Sequence, residues 1–203
     1  MILFVLGAIF CPWLAPFDPN DMTLDMMSGL SWTHPLGTDD LGRDLLSRIL
    51  HGTRVSMFIG ISTVALALVI GIALGLIAGY FGGWVDLIIM RYIDLQWAFP
   101  NFIIAVYLVA VFGAGLLNVI VALSLAFVDD FARVARSMTL TLREEQYVDA
   151  ARGRRGARFL CISCRVPRRS SFRRRSACSI AILGEASLSF LGLGVDAYTP
   201  TWG

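Results

Sequence analysis

Few residues in this chain have the types and spacing that chemistry needs. Asp39, Asp40, Arg43 and Asp44 set three carboxylates beside one cation, the raw material of a metal site or of acid–base work. Carboxylates so close in sequence more often cap a helix and pair with neighbouring Arg, and Thr38 or Asp39 is placed to cap a helix over 41–50. His34 and His51 stand without other ligand types at metal spacing. Cys161-Ile-Ser-Cys164 has the form of half a zinc or redox site, but the second ligand pair is absent. Arg173, Arg174 and Arg175 could contact phosphate or nucleic acid, yet neither an aromatic platform nor a recognition fold accompanies them. Glu185 differs, being a single carboxylate in an apolar segment. At mid-bilayer and unpaired it would cost about 2.5–3.5 kcal/mol on insertion scales, so it should face the bundle interior or a pathway, or carry a proton. No catalytic constellation, metal site or cofactor motif emerges. The seventeen basic residues are all Arg, and without a Lys a phosphate-binding GxxxxGK[ST] loop is excluded. If ATP drives this protein, another chain hydrolyses it.

The elements that would position these residues are membrane helices. Hydrophobic residues make up 57% of the 203, and the mean hydropathy is +0.71. That is too apolar for an ordinary soluble domain. Met1 to Ala15 would reach roughly 22 Å as a helix, short of the ~30 Å hydrocarbon core. It reads as a first membrane helix whose start is missing. A signal peptide fits less well, because no basic stretch precedes it and Pro12 and Pro16 suit a cleavage site poorly. Residues 17–54 are polar, carry six Asp and cannot lie in lipid. The first region, 1–56, is therefore the truncated helix plus an external segment, and 57–203 is the transmembrane domain.

Met57 to Phe81 has no charge in 25 residues and is the clearest span. Within it Thr63, Ala67, Gly71, Gly75 and Gly79 recur every fourth residue, a small-residue stripe along which another helix can approach closely. Gly82-Gly83 ends it. Asp86, Arg91 and Asp94 follow, with Arg91 and Asp94 spaced to pair on one helical face, and Pro100 should kink or restart the helix. Gly113-Ala-Gly115 divides the next apolar stretch, giving spans over 92–112 and 116–135. Asp94, Gln96 and Asn118 are candidate functional groups inside the membrane, or else capping and snorkelling residues near helix ends. Arg133, Arg136, Arg143 and Arg152 make the following loop cytoplasmic, and the amino terminus lies inside.

In that loop Leu140, Glu144, Tyr147, Val148 and Ala151 recur at helical spacing, with the charges mostly on other faces. This is the pattern of an amphipathic helix at a membrane surface with one side free to dock. The segment Tyr147-Val-Asp-Ala-Ala-Arg152 follows His34-Pro-Leu-Gly-Thr-Asp-Asp-Leu-Gly-Arg-Asp44 and precedes Leu183-Gly-Glu-Ala-Ser-Leu-Ser-Phe-Leu-Gly-Leu-Gly194. In this order the three resemble the dipeptide, oligopeptide and nickel branch of the ABC importer permeases. The resemblance implies an all-α polytopic bundle of the type I importer permease fold in the cell inner membrane, with about five of six spans present. It implies a second permease subunit, ATP-binding subunits, an extracytoplasmic substrate-binding protein and the lipid bilayer as partners, and no nucleic acid. The permease would catalyse no bond chemistry and need no cofactor. Tyr147, Asp149, Ala150, Ala151 and Arg152 would couple it to the ATPase.

Residues 153–179 depart from that pattern. They hold nine Arg, three of the four Cys and no acidic residue, with Arg155 where the family would show Gly. Such a tract in a Lys-free chain resembles a GC-rich gene read out of frame, and the pattern resumes at Ile180. The chain then ends before the family's sixth helix. The other readings are an inactive fragment of such a permease and an autonomous channel or secondary transporter. The latter would need charges converging at mid-membrane and often internal repeats, and only Glu185 qualifies.

Overall fold

The computed structural model describes residues 15, 17–22, 26–32, 34–143, 171–194 and 199–201, with backbone alone over 171–176. The described residues form five helices and no named strand. These are α1 (Leu45–Phe81), α2 (Gly83–Trp97), α3 (Asn101–Phe112), α4 (Leu116–Arg143) and α5 (Ser171–Phe190).

Helix α1 is 37 residues long, roughly 55 Å at the standard rise. It is the one described helix long and apolar enough by itself to cross a membrane. The separate helix expected over 41–50 does not exist, and the division drawn at residue 56 falls inside α1. The cap also differs from expectation. Asp44 occupies the N-cap, and its carboxylate accepts the Ser47 N–H at 2.8 Å. Asp39 is occupied otherwise, by the Leu41 and Arg43 N–H groups and the Arg43 and Arg48 guanidiniums. That preference is physical: two arginines and two orphan amides satisfy Asp39 inside the turn, leaving Asp44 nearest the free N–H groups of the helix. At the other end Gly82 and Gly83 both adopt positive φ, a conformation costly to any side chain, and the chain turns there.

Helices α2 and α3 meet at 92° across a break of a few residues. The span expected over 92–112, with a kink or restart at Pro100, is thus two helices that divide at that proline. Pro100 has no N–H to continue the ladder and disfavours helical geometry in the residue before it. Asn118, on the first turn of α4, donates to the carbonyls of Phe112 and Gly113. It caps the end of α3, which decides between the two roles left open for it. Helix α4 runs beyond residue 135 to Arg143 and packs most extensively on α1.

The main core joins α1, α3, α4 and α5 through Ile59, Val109, Val119, Leu123, Phe131 and Leu188, all nearly inaccessible. The outer surface is apolar as well, with Phe58, Ile61, Val69, Ile88, Tyr107 and Leu117 exposed. A row of large apolar side chains facing outward along a crossing-length helix is what lipid or a second membrane subunit covers.

Candidate functional site

Helix α4 has two working flanks and α1 has a third contact, and together these hold the residues of interest. On the first flank, α4 lies along the small-residue stripe of α1. Ala67, Gly71, Gly75 and Gly79 are all buried there. A Cβ added at Gly71 would come within 2.6 Å of the Phe131 Cβ, one at Gly75 within 2.6 Å of the Ala135 Cβ, and one at Gly79 within 2.7 Å of the Thr139 Cβ. No side chain fits at those distances, so the backbones approach because glycine permits it. Gly60, outside the spacing that drew attention to the stripe, does the same for α5, where an added Cβ would meet the Ile182 side chain at 2.6 Å.

The second flank of α4 is ionic. Arg136 donates through Nη2 to Asp86 Oδ2 on α2 at 2.6 Å, and through Nε to the other carboxylate oxygen. Arg133 reaches Asp94 at 3.3 Å and lies 4.3 Å over the Trp97 ring, a cation–π contact. Gln96 donates its side-chain amide to the Leu125 carbonyl. The partner of Asp94 is thus Arg133 rather than Arg91, since the tertiary contact between α2 and α4 supplies a closer cation than α2 itself. Asp129, on the same helix, is fully buried.

Glu185 sits in the contact between α1 and α5. It is fully buried, accepting a hydrogen bond from Ser56 of α1 at 3.2 Å and from Ser189, one turn along α5, at 3.0 Å. Two hydroxyls offset part of the cost of a carboxylate in an apolar interior. Helix α5 begins at Ser171, nine residues before the point where the family pattern resumes, and so includes Arg173, Arg174 and Arg175 in its backbone.

Outside the bundle, the polar segment before α1 is built around Asp39 and Asp44. His34 stacks its ring against Phe17, centroids 5.0 Å apart, and its Nδ1 lies 3.0 Å from Asp44 Oδ1. Burial pushes both carboxyls upward, but hydrogen bonds more than reverse it. The amide and guanidinium of Arg43 and the Leu41 amide hold Asp39 below the ordinary range. Ser47 and His34 do the same for Asp44. His51 contacts only the Ser47 carbonyl among these groups, at 3.0 Å. Among the described residues no group of His, Cys, Asp and Glu could hold a metal.

Tyr147, Asp149, Ala150, Ala151 and Arg152 lie outside the described residues, as do Met1 to Leu14 and Cys161–Cys164. Helix α4 ends at Arg143, four residues before Tyr147. Sequence reasoning missed Ser56, Ser189, Asp86 with Arg136, and Asp129. The last had a visible signal, because Asp129 and Arg133 stand one helical turn apart directly after an uncharged stretch that ends at Val128.

Residues 71–160 match the family described as binding-protein-dependent transport system inner membrane component. Over 216 residues the chain is 39% identical to the di/tripeptide transport system permease protein DppC of Pseudomonas aeruginosa (strain UCBPP-PA14), covering 100% of this chain and 71% of that one. It is 42% identical over 212 residues to the glutathione transport system permease protein GsiD of Pectobacterium atrosepticum, covering 100% and 69%. The dipeptide transport system permease protein DppC of Alkalihalophilus pseudofirmus is 38% identical over 210 residues, covering 98% and 67%. Identity of that order along the whole chain, together with a crossing-length apolar helix packed by its glycines, identifies this protein as a member of the inner-membrane permease family of binding-protein-dependent transport systems.

Proposed function

We propose that this chain is a polytopic subunit of an ATP-driven importer of short peptides. Its helices α1, the bent pair α2–α3, α4 and α5, with Met1 to Ala15, would supply five crossings of a six-helix type I permease. The observation that supports this best is the architecture of α4. The helix is apolar where it meets α3, carries Arg133, Arg136 and Arg143 toward its end, and ends four residues before Tyr147 in the sequence. Such a helix can join a membrane path to a cytoplasmic docking element. The relatives are named for di/tripeptide, glutathione and dipeptide, all short peptides. The substrate class is carried over from those names.

In this reading a substrate-binding protein delivers the peptide outside, and a second permease subunit completes the path. Paired ATP-binding subunits drive a population shift between two bundle arrangements. Asp149, Ala150, Ala151 and Arg152 carry the coupling, the alanines allowing close docking and the charged pair facing the ATPase. The tract 153–179 is read as locally out of frame, so the assay compares the chain as written with a version in which that tract is restored. Copurification of an ATP-binding subunit with the restored version is expected. Asp149→Arg should uncouple uptake from ATP hydrolysis while leaving insertion unchanged, because it reverses the charge offered to the partner. Radiolabelled dipeptide uptake in proteoliposomes reads the result, and normal uptake by this variant would remove Tyr147–Arg152 as the coupling element.

A further inference from the structure

Asp129 is fully buried on α4, and neither of its carboxylate oxygens has a hydrogen-bond partner. One turn further along the same helix, the Nε of Arg133 is also buried and unpartnered. Buried polar groups are almost always paired, so an unpaired carboxylate and an unpaired guanidinium N–H one turn apart need an explanation. Helical geometry puts them together. Leu125, Asp129, Arg133 and Arg136 share the side of α4 that faces α2, as the contacts of Leu125, Arg133 and Arg136 establish. An acid four residues before a base is also the favourable order for pairing on a helix.

Arg133 is held elsewhere by weak means. Asp94, at 3.3 Å, has a side chain 55% exposed, and an ion pair that open to solvent contributes little. Water can serve Asp94 when Arg133 leaves it, whereas Asp129 has no such recourse. The cation–π contact with Trp97 is the other hold on the guanidinium. We propose that Arg133 has two alternative carboxylate partners, Asp94 on α2 and Asp129 on its own helix, and that exchange between them is a two-position switch in the α2–α4 seam. With Asp94, the guanidinium ties α2 to α4. With Asp129, the tie is internal to α4, and α2 loses that one tie while Arg136 on Asp86 and Gln96 on the Leu125 carbonyl still hold it. Its use in transport rests on the permease reading; the exchange itself is a property of this chain.

The readout is the fluorine NMR spectrum of the full chain in nanodiscs, labelled with 5-fluorotryptophan. Five tryptophans are present, and Trp97→Phe assigns the relevant resonance. Asp94→Asn should move the Trp97 resonance to a second position as Arg133 leaves the ring for Asp129. Asp94→Asn with Asp129→Asn should abolish that second position, and Asp129→Glu in the Asp94→Asn background should restore it. An unmoved Trp97 resonance in Asp94→Asn, or the same resonance with and without Asp129→Asn, overturns the proposal. Should the Asp129→Asn protein fail to fold, Arg133→Gln decides, because Asp94→Asn must then leave Trp97 unchanged and a residual shift overturns the exchange. No ATPase is present in this experiment, so its failure and that of the permease reading are told apart.

Discussion

The two flanks of α4 hold their neighbours by opposite means. Toward α1 the contact consists of glycines, alanines and backbone, with Gly71, Gly75 and Gly79 each too close to α4 for any side chain. Toward α2 it consists of ions and their hydrogen bonds, with Asp86 on Arg136 and Asp94 on Arg133. A seam of close-packed small residues has one good position, since every displacement opens a void or drives atoms together. An ionic seam has several positions, because a guanidinium can change partners without leaving a hole. One helix can thus be a fixed wall on one side and a movable contact on the other, which is what an alternating-access subunit requires of its parts.

The strongest way to break this comparison is to crowd the glycine flank. Gly75→Leu should destabilise the folded chain by about 3 kcal/mol, at the upper end of ordinary overpacking, because backbone rather than flexible side chain opposes it. Thermal unfolding in detergent measures it, and an unchanged melting temperature would mean that α1 and α4 separate freely.

A smaller effect belongs to the ionic flank. Asp86→Asn should cost about 1 kcal/mol, since both partners are partly exposed and screened. Raising the salt concentration should narrow the gap between this variant and the unmodified chain, while the Gly75→Leu gap stays constant. A salt-independent Asp86→Asn would show that the seam is held by packing after all.

The smallest predicted effect lies outside both flanks and sharpens the contrast by pH. The fold holds the Asp39 and Asp44 carboxyls below the ordinary carboxylate range, so the unfolded chain binds protons first as pH falls. Their contribution is fully present above that range and is lost as pH drops through the lower folded pKa. Hydrogen exchange, corrected for its intrinsic pH dependence, should show protection of the Leu41, Arg43 and Ser47 amides constant from pH 7 to 5 and falling below about pH 4. Protection of α1 around Gly71 should not follow. If both segments lose protection together, the polar turn before α1 is not an independent unit.

How legible all this was depended on whether the physics was local. The stripe from Thr63 to Gly79 could be read because a four-residue repeat of small side chains is a property of one helix. The breaks at Gly82-Gly83 and Pro100 could be read for the same reason, as both follow from backbone chemistry. The cap of α1 could not. Thr38, Asp39 and Asp44 are all competent by type, and the choice fell to Asp44 because Arg43 and Arg48 fold back onto Asp39. Arg91 looked like the natural partner of Asp94 for want of any sight of α4.

By itself the sequence determined that this protein is a helical membrane permease and where the uncharged span of its longest helix lies. Apolar length, small-residue spacing and helix-breaking residues act within a turn or two of chain, and the family motifs are short and contiguous. Tertiary structure decided what those helices do to one another. It turned the glycine stripe toward α4, bent the chain by 92° at Pro100, gave Glu185 the hydroxyl of Ser56 from 129 residues away, and left Asp129 buried beside an arginine engaged elsewhere. The physical reason is that a buried polar group takes the partner that packing brings within reach, and sequence distance carries no information about that choice.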